Sequence, residues 1–393
     1  MSLSKWVKRI FFIGLVFSAC ASAAGSKTEE AVLVDHSYLG VFLQDSARLV
    51  LSKMPPLNTL EVHYDLNLYS IHYKTHDPDG KITIASGLVA MPISDKKVSI
   101  VSYQHGTRFN RDDVPSKSME KNYMLLAGIG SHGGYMTVMP DYLGLGDNEL
   151  PLHPYVQPET LAGSSVDMLF AAKELAAHLH YPLDDKLYLT GYSEGGFSTL
   201  VMFELLAKNY KDLPITAVAL GSAPYDWDET IRFILTKPGP RASAYMAYFF
   251  YSLQYYKHYW ASLDEIFVSP YNTLVPQLFD GKHANQEILD ALPKDPKLLL
   301  QPAFFNAILN GTETNSENLK KLFNHYHFTP TAPLLLVGTR GDKDVPFHGS
   351  EIAYDVFNQL SDFVTILSVS DELDHVDAAP YVLKEQLSFF SEY

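Results

Sequence analysis

The segment Gly191-Tyr192-Ser193-Glu194-Gly195-Gly196 constrains this chain more than any other. It follows an apolar run, Leu187-Tyr188-Leu189-Thr190, and precedes a stretch of helical character from Phe197 to Asn209. A G-x-S-x-G between a strand and a helix sets the serine on a sharp, strained turn. Glycines on both flanks let the helix pass close to the strand. The first N–H groups of that helix then point at whatever the serine hydroxyl attacks, where negative charge develops. Five-residue matches also arise by chance, leaving an inert serine, so the surroundings must decide.

Those surroundings alternate between strands and helices. Val62 to Thr75 and Lys81 to Met91 read as a hairpin about the turn Asp77-Pro78-Asp79-Gly80. Strands follow at Val98–Tyr103, Tyr135–Met139, Leu187–Thr190, Ile215–Leu220, Leu334–Val337 and Val364–Val369. Helices are expected near 118–130, 159–180, 349–360 and 379–391, with an amphipathic one over residues 30–54 ended by Pro55-Pro56. Such alternation implies an α/β fold: a mostly parallel, mixed sheet with helices on both faces and an antiparallel hairpin at its N-terminal edge. Residues 222–330 break the rhythm. They lack clear strands and are rich in tyrosine and phenylalanine, as in Tyr245-Met246-Ala247-Tyr248-Phe249-Phe250-Tyr251. They read as a helical insertion, or lid, over an apolar cleft, between core segments 25–221 and 331–393. Most of these aromatics are expected to pack the insertion's own interior.

A serine hydroxyl is a poor nucleophile until a base removes its proton, and the base needs an orienting carboxylate. In this topology both come later in the chain, the acid first. The strand at 334–337 ends in a loop holding Asp342-Lys343-Asp344-Val345-Pro346, and the strand at 364–369 ends in Ser370-Asp371-Glu372-Leu373-Asp374-His375. Catalytic groups gather at such carboxyl ends of parallel strands. Asp342, three residues before Val-Pro, is the favoured acid, with Asp344 as the alternative. His375 is the favoured base, since His105 and His132 precede the acid. Two backbone donors for a developing oxyanion are expected: the N–H of Glu194, and one from Gln104-His105-Gly106-Thr107, where Thr107 is favoured. His325-x-His327 and His178-x-His180 lack companion ligands at metal-binding spacing, and no phosphate-cradling glycine loop is present, so neither metal nor nucleotide cofactor is expected.

Composition narrows the partners. With 393 residues, 47% hydrophobic and 19% charged, the chain can bury a large core. The first 24 residues read as a secretory signal: Lys5, Lys8 and Arg9, then the apolar Ile10–Phe17, then the small residues Ala21-Ser22-Ala23-Ala24. That apolar run is too short to span a bilayer, and no transmembrane stretch follows. Net charge is −15, or −18 without the signal (27 basic against 45 acidic residues), a charge that repels nucleic acid. The only cysteine, Cys20, lies in the signal, where it could carry a lipid. Cleavage beyond it leaves no thiol or disulfide chemistry. The destination is therefore periplasmic or secreted.

Ser102-Tyr103-Gln104-His105-Gly106-Thr107, Pro140-Asp141-Tyr142-Leu143-Gly144-Leu145-Gly146, the Ser193 segment, Asp342-x-x-Val345-Pro346 and His375 occur in this order. Together they resemble the α/β-hydrolase superfamily and, more narrowly, the secretory lipase group, whose fungal members have an inserted helical lid. The resemblance spans about 95–393. It implies Ser193 as nucleophile, Asp342 as orienting acid, His375 as base and no cofactor, in an exported enzyme acting on lipid or other acyl esters. Glu194 departs from the fungal pattern, which often has a small residue there. A carboxylate at that position also occurs in some peptidase-like relatives, making a secreted serine peptidase of the same fold the alternative. A non-catalytic binding module usually arises by loss of such residues, and all three are here.

Overall fold

The computed structural model describes residues 31–393, so the expected signal at 1–24, with Cys20, lies outside the described residues. Nine strands form one sheet: β1 (Leu33–Phe42), β2 (Leu66–His76), β3 (Ile82–Pro92), β4 (Val98–Gln104), β5 (Met136–Pro140), β6 (Leu183–Tyr192), β7 (Ala217–Gly221), β8 (Leu334–Gly338) and β9 (Val364–Ser368). Their order is β1-β2-β3-β5-β4-β6-β7-β8-β9. The pairs from β1 through β3 to β5 are antiparallel, and those from β5 to β9 are parallel.

The central strands are continuous apolar runs because both faces of the sheet are covered. In β8, Leu334 and Leu336 join one core while Leu335 and Val337 join the other. In β7, Val218 and Leu220 face the first core, and Ala217 and Ala219 the second. This is the two-residue period of a strand made visible. Helices α3 (Pro158–His178), α4 (Glu194–Asn209) and α11 (Phe347–Leu360) supply the first core; α1 (Gln44–Ser52) and α12 (Ala379–Phe390) supply the second.

Local expectations are corrected or refined. Residues 30–54 are not one helix: Leu33–Phe42 is the edge strand β1, and helix begins only at Gln44. Val34, Tyr38 and Val41 have near-helical spacing, yet the free edge of β2 offers a ladder of unpaired N–H and C=O groups, and the β-favouring side chains take it. The carboxylate of Glu174 in α3 pins the start of this strand by accepting the N–H groups of Val32 and Leu33 at 3.0 and 2.8 Å. The helix expected near 118–130 is present but irregular, a 3-10 stretch (Met119–Asn122) running into one α turn, α2 (Tyr123–Leu125), and a wide π-type segment (Leu126–His132). Here Gly130 lies so close to Leu66 that an added Cβ would sit 2.6 Å from its Cδ1. The first hairpin strand also starts at Leu66 rather than Val62.

Between β7 and β8 run helices α5 (Trp227–Thr236), α6 (Ala242–Lys257), α7 (Tyr271–Leu278), α8 (Asn285–Ala291), α9 (Pro302–Leu309) and α10 (Ser316–Phe323). Their aromatics pack on one another: Trp227, Phe249 and Phe323 lie 5.2–5.6 Å apart by ring centroid, and Phe250, Trp260 and Phe304 lie 5.0–5.8 Å apart. Tyr248 of α6 stacks on Tyr155 at 4.6 Å, joining this layer to the loop before α3. Among the described residues no helix is long and apolar enough to cross a membrane.

Candidate active site

Ser193 stands between β6 and α4 with φ 61° and ψ −125°, a region that side chains adopt only under constraint. Its N–H donates to Gly221 O at 2.8 Å. The glycines explain how the turn closes. A Cβ at Gly195 would fall 1.9 Å from Gln104 O, and one at Gly191 would fall 2.2 Å from Gly195 O. Backbone on backbone at such range admits only hydrogen.

The loops after β8 and β9 bring in the partners. Thr339 ties them together by donating its hydroxyl to Ser370 O and Leu373 O, at 2.9 and 3.0 Å. Tyr192, beside the serine, donates its hydroxyl to His375 O at 2.5 Å. The imidazole of His375 then lies with Nε2 2.8 Å from Ser193 Oγ and Nδ1 2.6 Å from Asp342 Oδ2. The other carboxylate oxygen of Asp342 accepts the N–H groups of Asp344 and Val345 at 2.9 and 2.8 Å. Because a carboxylate only accepts, Nδ1 carries the hydrogen and Nε2 presents its lone pair to the serine hydroxyl. The three side chains are nearly dry: Ser193 is 9% exposed, His375 3% and Asp342 5%.

Of the two candidate acids, Asp344 turns elsewhere. Its Oδ2 accepts from Arg241 Nε at 2.5 Å, while Arg241 Nη2 reaches Asp374 Oδ2 at 3.1 Å. Burial raises the Asp344 carboxyl above its ordinary range, opposed by His375 and Arg241. Arg241 immediately precedes α6, so this clasp joins the helices between β7 and β8 to both loops of the site. Nothing in the sequence marks it.

Glu194 opens α4, its N–H among those left without intrahelical partners. Thr107 lies with Gly106, Ser193 and His375 around one cavity, and its Oγ1 is 2.9 Å from Tyr155 Oη. His105 packs beneath this loop. Burial first, then Arg108, pulls its imidazole down to about 3, so it stays neutral between the carbonyls of Gly106 and Asp141. His132 bonds to Glu61 O. His325, of the His-x-His pair, bonds to Glu204 at 2.6 Å. Among the described residues no group of three His, Cys, Asp or Glu side chains could hold a metal.

The sequence draws attention to the Glu194 carboxylate but not to its partner. Its Oε1 lies 2.9 Å from His153 Nε2, with both side chains 1% exposed, and His153 Nδ1 lies 2.6 Å from Leu143 O. The carbonyl only accepts, so Nδ1 bears a hydrogen, and one further proton is shared between Nε2 and the carboxylate. Gly144 makes room for this arrangement, since a Cβ there would meet His153 N at 2.5 Å.

Two cavities meet at Ser193, and Tyr245 of α6 borders both. One encloses about 50 Å³ under α5 and α6, its wall mainly apolar (Ile234, Met246, Phe249, Phe323). The other, about 220 Å³, is more polar and includes His375, Arg108 and Lys121.

No protein-family profile and no curated protein matches the chain. A crystal structure of a candidate hydrolase from Legionella pneumophila is 66% identical, covers 92% of this chain and 98% of its own, and superposes with a TM-score of 0.91. The rice cell wall degrading esterase LipA from Xanthomonas oryzae is 22% identical, covers 91% and 96% and gives a TM-score of 0.81. Lipase A of Candida antarctica in its closed state is 13% identical, covers 92% and 81% and gives 0.66. The last two are likenesses of fold.

Proposed function

Since this chain is an α/β-hydrolase, we propose that it is an exported serine esterase of the lipase and esterase group that cleaves carboxylic esters through an acyl-enzyme. One observation carries the reading: the unbroken chain of contacts from Ser193 Oγ through His375 to Asp342, at 2.8 and 2.6 Å, at the mouth of an apolar cavity.

Ser193 Oγ attacks the ester carbonyl as its proton passes to His375 Nε2. The imidazolium so formed is held by Asp342, and the carbonyl oxygen, now negative, takes the N–H groups of Glu194 and Thr107. Collapse of the tetrahedral intermediate expels the alcohol, protonated by His375. Water, deprotonated by the same nitrogen, then attacks the acyl-enzyme and releases the acid and Ser193. The acyl group occupies the apolar cavity, so residues 222–330 act as a cap on a core made of 25–221 and 331–393. Residues 1–24 serve as the signal, and no cofactor takes part.

A peptidase of this fold would need the charge of Glu194 free to attract a substrate amine. That carboxylate is buried and already matched by His153. The test is direct: short p-nitrophenyl esters and a fluorophosphonate probe on wild type and Ser193→Ala. Hydrolysis and labelling confined to the wild type are expected. Activity that survives the substitution, or folded wild type that is neither active nor labelled, overturns the assignment.

A further inference from the structure

The larger cavity beside Ser193 runs against the charge of the molecule. The chain carries −15 overall, yet no aspartate or glutamate borders this cavity, whereas Arg108 and Lys121 both do. Its tyrosines add no negative charge, because burial raises the hydroxyls of Tyr103, Tyr192 and Tyr245 far above neutral pH. One carboxylate stands behind the two cations. Asp113, 6% exposed, accepts from Lys121 Nζ at 2.8 Å.

Arg108 is not held in the same way. Its Nη1 lies 4.0 Å from Asp113 Oδ2, beyond hydrogen-bond range, and its Nε is buried without a partner. A guanidinium presents five N–H donors in a planar fork that fits the two oxygens of a carboxylate. Here that fork stands on the wall of the site with its charge unmatched, since two cations face one carboxylate. A purely structural arginine would close on Asp113, as Lys121 does.

The position of the base says which half of a substrate meets this charge. His375, which protonates the departing alcohol, borders the polar cavity and not the apolar one. With the acyl group in the apolar cavity, the alcohol half lies in the polar one. We infer that this cavity is a subsite for an alcohol bearing a carboxylate, which Arg108 binds and Lys121 supports. The single positive charge in excess matches a monoanion rather than a phosphate dianion. This rests on the esterase reading above and adds the leaving-group class. The reaction is the same hydrolysis, and the alcohol departs with its carboxylate intact.

The experiment uses butyrate esters of two chromogenic phenols, 3-hydroxy-4-nitrobenzoate and 4-hydroxy-3-nitrobenzoate, each against its neutral carboxamide. Each kcat/KM is divided by the ester's own rate with hydroxide, which removes differences in intrinsic reactivity. Wild type is expected to favour the carboxylate of at least one isomer by about tenfold or more, with KM carrying the change. Arg108→Gln is expected to bring that ratio close to one. Lys121→Gln is expected to lower it less, because Asp113 already holds that ammonium. The ratio should also fall as salt is raised from about 0.05 to about 0.5 M, as attraction to a local cation is screened. Repulsion by the net negative chain would move it the other way.

Equal or faster turnover of both carboxamides by wild type overturns the inference, as does a ratio that folded Arg108→Gln leaves unchanged. Should Arg108→Gln fail to fold, the salt profile decides, and a ratio that is flat or rises with salt overturns it. In these outcomes esters are still cleaved, so the esterase reading stands. Loss of that reading has its own signature, no hydrolysis of any ester and no labelling of Ser193 by the fluorophosphonate probe.

Discussion

Replacing Asp342 by asparagine tests the site at its most informative atom. The substitution is isosteric, yet it need not preserve the function of the carboxylate, because the surroundings choose which end of the amide faces the imidazole. Two backbone N–H groups, from Asp344 and Val345, converge on Oδ1 at 2.9 and 2.8 Å. The amide oxygen of the new side chain must take that position. The opposite orientation would set an NH2 group against two donors and strand both. At about 1–3 kcal/mol for each buried donor left unpaired, the bias is about 2–6 kcal/mol. The NH2 group therefore faces His375 Nδ1 and donates to it, which moves the imidazole hydrogen to Nε2. That nitrogen can no longer accept the proton of Ser193. With about 1.36 kcal/mol per decade of rate, the bias alone predicts a fall of about 30-fold to about 3 × 10⁴-fold in kcat. The upper end matches the loss of about 10⁴ known where a triad aspartate is so replaced. The assay is kcat for a short p-nitrophenyl ester, alongside circular dichroism and Tm to establish folding. Asp344→Asn serves as contrast, because that carboxylate faces Arg241 rather than the base. A folded Asp342→Asn enzyme within about tenfold of wild type, equivalent to under about 1.4 kcal/mol, refutes the reasoning. So does a larger loss from Asp344→Asn than from Asp342→Asn.

Three further outcomes are expected. Arg241→Gln strands a buried carboxylate at Asp344 and should lower stability by about 3 kcal/mol at neutral pH. Burial raises the Asp344 carboxyl, and Arg241 opposes the rise, so removing the cation raises it further. A carboxyl raised on folding favours the native state only while protonated. The Tm deficit should therefore shrink as pH falls towards about 4, and a deficit that grows in acid contradicts the assignment. Gly195→Ala would drive a methyl group to 1.9 Å from Gln104 O, so a loss of about 4 kcal/mol or more, or failure to accumulate soluble protein, is expected; a folded variant with unchanged Tm counts against the elbow geometry. The small cavity should favour short acyl chains, so kcat/KM for p-nitrophenyl esters should be higher for butyrate than for decanoate; rates that keep rising to decanoate would show that the chain lies elsewhere.

Much of this molecule is written locally in its residues. The alternation of apolar runs, the glycines around Ser193 and the acid-before-histidine order follow from hydrophobic periodicity and turn chemistry, which act over a few residues at a time. They identified the parallel sheet and named Ser193, Asp342 and His375, which the folded chain brings within hydrogen-bonding distance. What they could not contain was competition between distant segments. Residues 33–42 carry near-helical spacing and nevertheless pair with β2, because an open sheet edge is an interaction that no local window displays. The choice between Asp342 and Asp344 turned on Arg241, about a hundred residues earlier in the chain, which occupies the second carboxylate and leaves the first to the imidazole. Glu194 was legible as the residue that opens the elbow helix, whereas its pairing with His153 exists only once separate loops meet. Local chemistry determined the turn that holds Ser193 and the order of the acid and histidine that meet it. The division of charge around them was decided by packing, since burial sets the cost of every unpaired group and burial is a property of the assembled fold.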